Sequence, residues 1–94
     1  MFVTLVEFYL DPKGRELFPS WVEKLRSLVR GYPGFVDARR MAPTDGPDRT
    51  MFMLLFDTQE NTQRWADSED RQELLKLITP HWTKPFLPLQ YFAA

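Results

Sequence analysis

The sequence predicts an α+β domain in which a four-stranded antiparallel sheet carries its helices on one face. Three observations carry this expectation. The run FVTLVEFYL is dense in β-branched and aromatic residues, as strands are, and TMFMLLF is a second, nearly continuous apolar run of strand length. Residues 15 to 32 gather their apolar side chains on one helical arc. A TDGPD segment, with its Asp-Gly pair, marks a hairpin turn before TMFMLLF.

Strand one is FVTLVEFYL, and DPKG after it reads as a turn. In helix one, Leu17, Phe18, Trp21, Val22, Leu25, Leu28, Val29 and Tyr32 share an arc, with Arg15, Glu16, Glu23, Arg26 and Arg30 opposite. Pro19 fits this helix best in a first turn, so the regular helix is expected to start near Phe18. GYPG ends it. FVDARRMA is a more polar strand two and TMFMLLF is strand three. Asp57 then offers an N-cap with Glu60 three positions on, opening a helix that runs to about Asp67. Ser68 is a second N-cap, followed by Glu69 and Asp70 at the positive end of a new helix. RWADSED is therefore a kink between two short helices. Leu74, Leu75 and Ile78 form the inner face of the second, and Pro80 stops it. FLPLQYF is strand four, with Pro88 suited to a sheet edge.

The order β-α-β-β-α-β is that of a ferredoxin-like sandwich, here a single domain over residues 1–94. Strands one and three are the most apolar and belong at the centre, and the charged strand two and proline-bearing strand four belong at the edges. Both faces of the central strands are apolar: Val3, Leu5, Glu7 and Tyr9 with Met51, Met53 and Leu55 on one, Phe2, Val6, Phe8 and Leu10 with Phe52, Leu54 and Phe56 on the other. Helices from one chain cover one face only. The other is expected to meet a second copy, giving a homodimer packed sheet to sheet.

Composition narrows the function classes. Twelve basic and 13 acidic residues give a net charge of −1, with no basic field for nucleic acid or an anionic membrane. Strand three lacks the glycine and internal basic residue of an RNA-recognition sheet. Cysteine is absent and His81 is the lone histidine, which excludes thiolate and histidine-rich metal sites within one chain, so no metal site is expected. MFVTLVEFYL carries Glu7, has no basic leader and is too short to span a bilayer, so a cytoplasmic location is the default.

The pieces KGRELFPSW and GYPGF, and strand three continuing into FDTQENTQRWADSEDRQELLKLITP, resemble the antibiotic biosynthesis monooxygenase superfamily. The resemblance covers nearly the whole chain. It implies a dimeric α/β barrel with a pocket in each subunit, between the helices and one face of the sheet. Several members oxidise electron-rich phenols or anthrones with molecular oxygen and neither metal nor flavin, because the deprotonated substrate itself reduces oxygen. Other relatives degrade haem with a strand-one asparagine, a helix-two tryptophan and a histidine ten residues after it. Those positions fall on Glu7, Trp65 and Leu75, so one of three matches and the axial histidine is lost. The quinone-forming relatives use a polar residue in strand three, which MFMLLF does not supply.

The resemblance implies a cofactor-independent monooxygenase acting on a small aromatic or quinol-type compound. The rival reading is a non-catalytic dimeric module that binds a small apolar ligand, and haem degradation ranks third. Trp65 is the candidate wall for an aromatic ligand; the alternative is a core plug. Glu7, an acid inside an apolar strand, is the candidate proton acceptor if buried; the alternative is an ion pair with Arg39 or Arg40, or a solvated rim. His81 is a second acid-base candidate, or a solvated loop residue. Tyr9 and Asn61 are substrate-binding candidates, the latter one turn before Trp65. Tyr91 could donate to a ligand oxygen, and Trp82 is expected across the dimer or over the barrel end.

Overall fold

The computed structural model describes residues 1–46 and 49–93, with every side chain among them except that of Leu87. Chain order is β1 (Phe2–Leu10), α1 (Pro12–Val29), β2 (Phe35–Met41), β3 (Thr50–Phe56), α2 (Gln59–Ala66), α3 (Glu69–Ile78), a 3-10 turn (Thr79–His81) and β4 (Trp82–Phe92). The sheet runs β2-β3-β1-β4, every pairing antiparallel, so the ferredoxin-like order expected from the sequence is present. The sheet of one chain is open, with β2 and β4 as its edges. No helix among the described residues is long and apolar enough to cross a membrane.

Burial alternates along the central strands with a period of two. Phe2, Thr4, Val6, Phe8 and Leu10 are buried under the helices, and the residues between them are half-buried on the open face. Thr50, Phe52, Leu54 and Phe56 of β3 follow the same rule. Phe8 is the meeting point of the core, with the rings of Phe18, Trp21, Phe52, Trp82 and Phe86 centred 5.2–6.1 Å from its own. Trp21 also ties two helices together, since its indole N–H donates to the Leu74 carbonyl at 2.8 Å.

Several sequence expectations need correction. DPKG is not a turn: Asp11 is the N-cap of α1, its carboxylate accepting from the Gly14 N–H at 2.7 Å, and Pro12 takes the first helical position. Two prolines compete for that place, and Pro12 has the capping aspartate in front of it. Pro19 then falls inside the helix, which begins earlier than expected and ends at Val29, before Tyr32. The N-cap of α2 is Thr58, whose hydroxyl accepts from Asn61 N–H at 3.1 Å. Asp57 instead donates its N–H to the Gly34 carbonyl, and its carboxylate accepts from the Asn61 side-chain amide. β4 starts at Trp82, four residues before FLPLQYF. Ser68 caps α3 as expected. Of the TDGPD turn, Pro47 and Asp48 lie outside the described residues.

Candidate functional site

Between the helices and the covered face of the sheet lies a cavity of about 150 Å³. β1 and β3 give it a floor of Thr4, Val6, Phe8, Phe52 and Leu54, and α1 adds Trp21 and Leu25. α2 contributes Thr62, Trp65 and Ala66, α3 contributes Arg71, Leu74 and Leu75, and β4 closes one side with Phe86, Pro88 and Gln90. The lining is mostly apolar, as small-molecule sites are.

The helix kink sets the two most distinctive lining groups. Ser68 donates its hydroxyl to the Trp65 carbonyl at 2.7 Å, ending α2, and accepts the Arg71 N–H at 3.1 Å, starting α3. The Trp65 side chain is buried and meets the Tyr32 ring edge to face at 5.0 Å. The Tyr32 hydroxyl donates to Asp70 at 2.9 Å, so α3 holds this wall from behind. Arg71 is half-buried and donates Nη1 to the Ala66 carbonyl at 3.2 Å. Burial pulls its pKa below the ordinary arginine value, and the field of Asp67 opposes that shift. Among the described residues no carboxylate lies within ion-pair distance of it.

Across the cavity, strand register places Thr4 of β1 beside Leu54 of β3 and Gln90 of β4. The Thr4 hydroxyl is buried and has no hydrogen-bond partner among the described residues. Arg71, Thr4 and Gln90 are polar lining groups that the sequence reading missed. A signal existed for Arg71: it is a cation in the first turn of a capped helix, where anions are favoured.

Of the five candidates read from the sequence, Trp65 lines this cavity and the other four do not. Glu7 alternates onto the open face of the sheet, away from the helices, and does not line this cavity. Its partner is neither Arg39 nor Arg40. Arg49 grips it with two hydrogen bonds of 2.8 and 3.0 Å and extends to Asp45 at 3.1 Å. The Arg49 hydrogen bonds hold the Glu7 carboxyl below its usual range, against a smaller opposing effect of burial. A base poised near neutrality needs the reverse. Tyr9 lies with Glu7 and Arg49 along an open groove of about 420 Å³ at the end of the sheet, with the Lys84 ammonium 4.0 Å over its ring.

Asn61 turns away from Trp65, its amide on Asp57 at 2.8 Å, against the Gly34 turn. Gly34 has φ of 78°, and a side chain there would run into both groups. His81 sits at the opposite end of the fold, its Nδ1 3.1 Å from the Asp11 carboxylate that caps α1. Trp82 stacks inward on Phe8 rather than outward over a barrel end, and Tyr91 is exposed. Among the described residues no histidine lines the cavity to serve as an axial ligand to haem, and His81 is held by Asp11 elsewhere.

The family model described as antibiotic biosynthesis monooxygenase matches residues 1–77. No curated protein matches the sequence significantly. Among solved structures, a protein from Mycobacterium tuberculosis superposes with a TM-score of 0.84 at 11% identity, over 99% of this chain and 94% of that one. A dimeric ferredoxin-like protein of unknown function from Jannaschia sp. CCS1 gives 0.83 at 14% identity, over 98% of each chain. SnoaB, a cofactor-independent oxygenase from Streptomyces nogalater, gives 0.79 at 16% identity, over 98% of this chain and 92% of that one. At these identities the likeness is one of fold.

Proposed function

The chain belongs to the antibiotic biosynthesis monooxygenase family, and on that premise we propose that it is a cofactor-independent monooxygenase oxidising a small aromatic or quinol-type compound with molecular oxygen. The observation that carries this reading is the mostly apolar cavity between helices and sheet, with Trp65 in its wall. A flat ring packs on such a wall and is kept from water. The substrate carbon loses its hydrogens and gains a carbonyl oxygen. The second oxygen atom leaves as water, and all four electrons come from the substrate. The protein then has to bind the ring, hold it in its electron-rich form and exclude solvent.

We further propose that the working unit is a homodimer packed through the open sheet faces. Supporting it, cross-strand rungs align Leu5 with Met53 and Leu89, and Val3 with Leu55 and Tyr91, on the face the helices leave bare. Leu89 and Tyr91 are exposed in the single chain. The Jannaschia neighbour is described as dimeric.

One observation favours the rival reading, a binding module without chemistry. Among the described residues, neither a carboxylate nor an imidazole lines the cavity. Oxygen uptake by the metal-stripped protein over a panel of hydroquinones, phenols and anthrones separates the two. Saturable uptake that falls in Trp65→Ala supports the oxygenase. Binding of the same compounds with no uptake supports the module.

A further inference from the structure

We propose that the cavity takes a single-ring phenol in its ionised form, with the Arg71 guanidinium holding the phenolate oxygen. This rests on the small-aromatic reading of the cavity above and narrows it to one ring, one charge state and one recognising residue.

Size comes first. An apolar protein cavity of about 150 Å³ holds a benzene-sized ligand, and the cavity here is about 150 Å³. One ring fills it, and a fused tricycle exceeds it. In the floor, Val6, Phe8, Phe52 and Leu54 match the ring and the Thr4 hydroxyl, unpartnered among the described residues, can meet a neutral oxygen, while an ionised oxygen needs a cation.

Arg71 is that cation. It lies in the first turn of α3, where the positive end of the helix disfavours a cation. It is half-buried, which costs solvation, and among the described residues no carboxylate repays that by pairing with it. Its one described side-chain hydrogen bond uses Nη1, while a guanidinium carries five N–H donors. The guanidinium rests on the last carbonyl of α2 and feels the field of Asp67, yet it is half-buried, forms no ion pair among the described residues and keeps donors free, which fits a ligand that arrives with the negative charge. Arginine gives an oxyanion strong charge-assisted hydrogen bonds.

The lining explains why the ligand enters ionised. With no base facing the cavity among the described residues, a bound neutral phenol has nothing to take its proton. A fixed cation beside the oxygen favours the charged form instead and lowers the phenol's own pKa on binding. The anion is also the electron-rich form that reacts with oxygen. Arg71 would thus supply through selection what a general base supplies through proton transfer.

The test uses 4-nitrophenol, whose phenolate absorbs apart from the neutral phenol, held below its own pKa. Wild-type protein is expected to raise the phenolate band, saturating at one ligand per chain. Arg71→Gln is expected to lose the band and weaken binding about tenfold or more, while leaving affinity for nitrobenzene, which has no ionisable oxygen, unchanged. Arg71→Lys keeps the charge and is expected to restore part of the band, which separates loss of charge from loss of fold. An unchanged phenolate band in Arg71→Gln overturns the proposal. So does benzoate displacing nitrophenol far better than phenol does, which would make the site one for carboxylates. Failure of the oxygenase reading is distinguishable: a phenolate band dependent on Arg71, with no oxygen uptake on any hydroquinone, leaves this assignment standing and ends that one.

Discussion

The Ser68 hydroxyl donates to the carbonyl of Trp65 at 2.7 Å while accepting the N–H of Arg71 at 3.1 Å. One side chain therefore closes the helix bearing the aromatic wall and opens the helix bearing the cavity's cation. Ser68→Ala removes both bonds. Loss of an N-cap costs about 1 kcal/mol, so the urea midpoint is expected to fall with an unchanged slope. Ligand affinity should fall further than that stability loss alone explains, because Trp65 and Arg71 lose their common anchor. Ser68→Asp restores the cap and should recover the midpoint.

Glu7 lies on the far side of the sheet from the cavity, so Glu7→Gln is expected to leave oxygen uptake within about twofold of wild type, a change worth less than about 0.5 kcal/mol. Its effect belongs to stability at low pH. The Arg49 hydrogen bonds depress the carboxyl below its model value of 4.5. A depressed carboxyl binds fewer protons folded than unfolded, so its stabilisation is complete above the unfolded pKa and is lost as pH falls through the lower folded value. Wild type should therefore lose urea stability faster than Glu7→Gln as pH drops below about 4.5. Equal acid sensitivity in the two proteins would remove Arg49–Glu7 as a cause.

Gly14 is buried in the first turns of α1. Alanine there gains about 1 kcal/mol of helix propensity. Its Cβ, however, would lie 2.6 Å from the His81 Cβ and 3.0 Å from the Leu10 Cβ. Overpacking of that kind costs about 1–3 kcal/mol, so the clash outweighs the propensity. Gly14→Ala is expected to lower the melting temperature and to disturb the pairing of His81 with Asp11. A rise in melting temperature would mean that the 3-10 turn gives way without cost.

The strands were legible because their signal is local. Short, nearly continuous apolar runs bounded by turn residues mark FVTLVEFYL and TMFMLLF wherever the rest of the chain goes. Ser68 was legible for the same reason, since a cap bonds within its own turn. The start of α1 was not, because Pro12 and Pro19 carry the same local preference, and the choice fell to Asp11, which also meets His81 seventy residues away. The surroundings of Glu7 stayed open for a related reason. Its face follows from the alternation, yet which face the helices cover is a tertiary fact. Its partner Arg49 lies 42 residues on, beyond a turn whose geometry the sequence leaves free. Trp65 was singled out by the family resemblance, which gives helix two a tryptophan, whereas Arg71 carries no such motif and stands out only where the cavity places both side chains in its lining.

The open sheet face yields the last prediction. Met53 sits on β3 between Leu5 of β1 and Arg39 of β2, at the centre of the uncovered face. It is half-buried by its neighbours in one chain and would be fully covered by a second. Met53→Glu places a charge at the middle of that contact, where burial of an unpaired carboxylate costs several kcal/mol. Within a single chain the same carboxylate remains in reach of water and of Arg39, so the fold tolerates it. Sedimentation equilibrium is expected to show a dimer for the wild type and a folded monomer for Met53→Glu, with circular dichroism unchanged. A dimer that survives the substitution places the interface elsewhere, and a wild-type monomer leaves the apolar rungs of Leu5, Met53 and Leu89 without a partner in the protein itself.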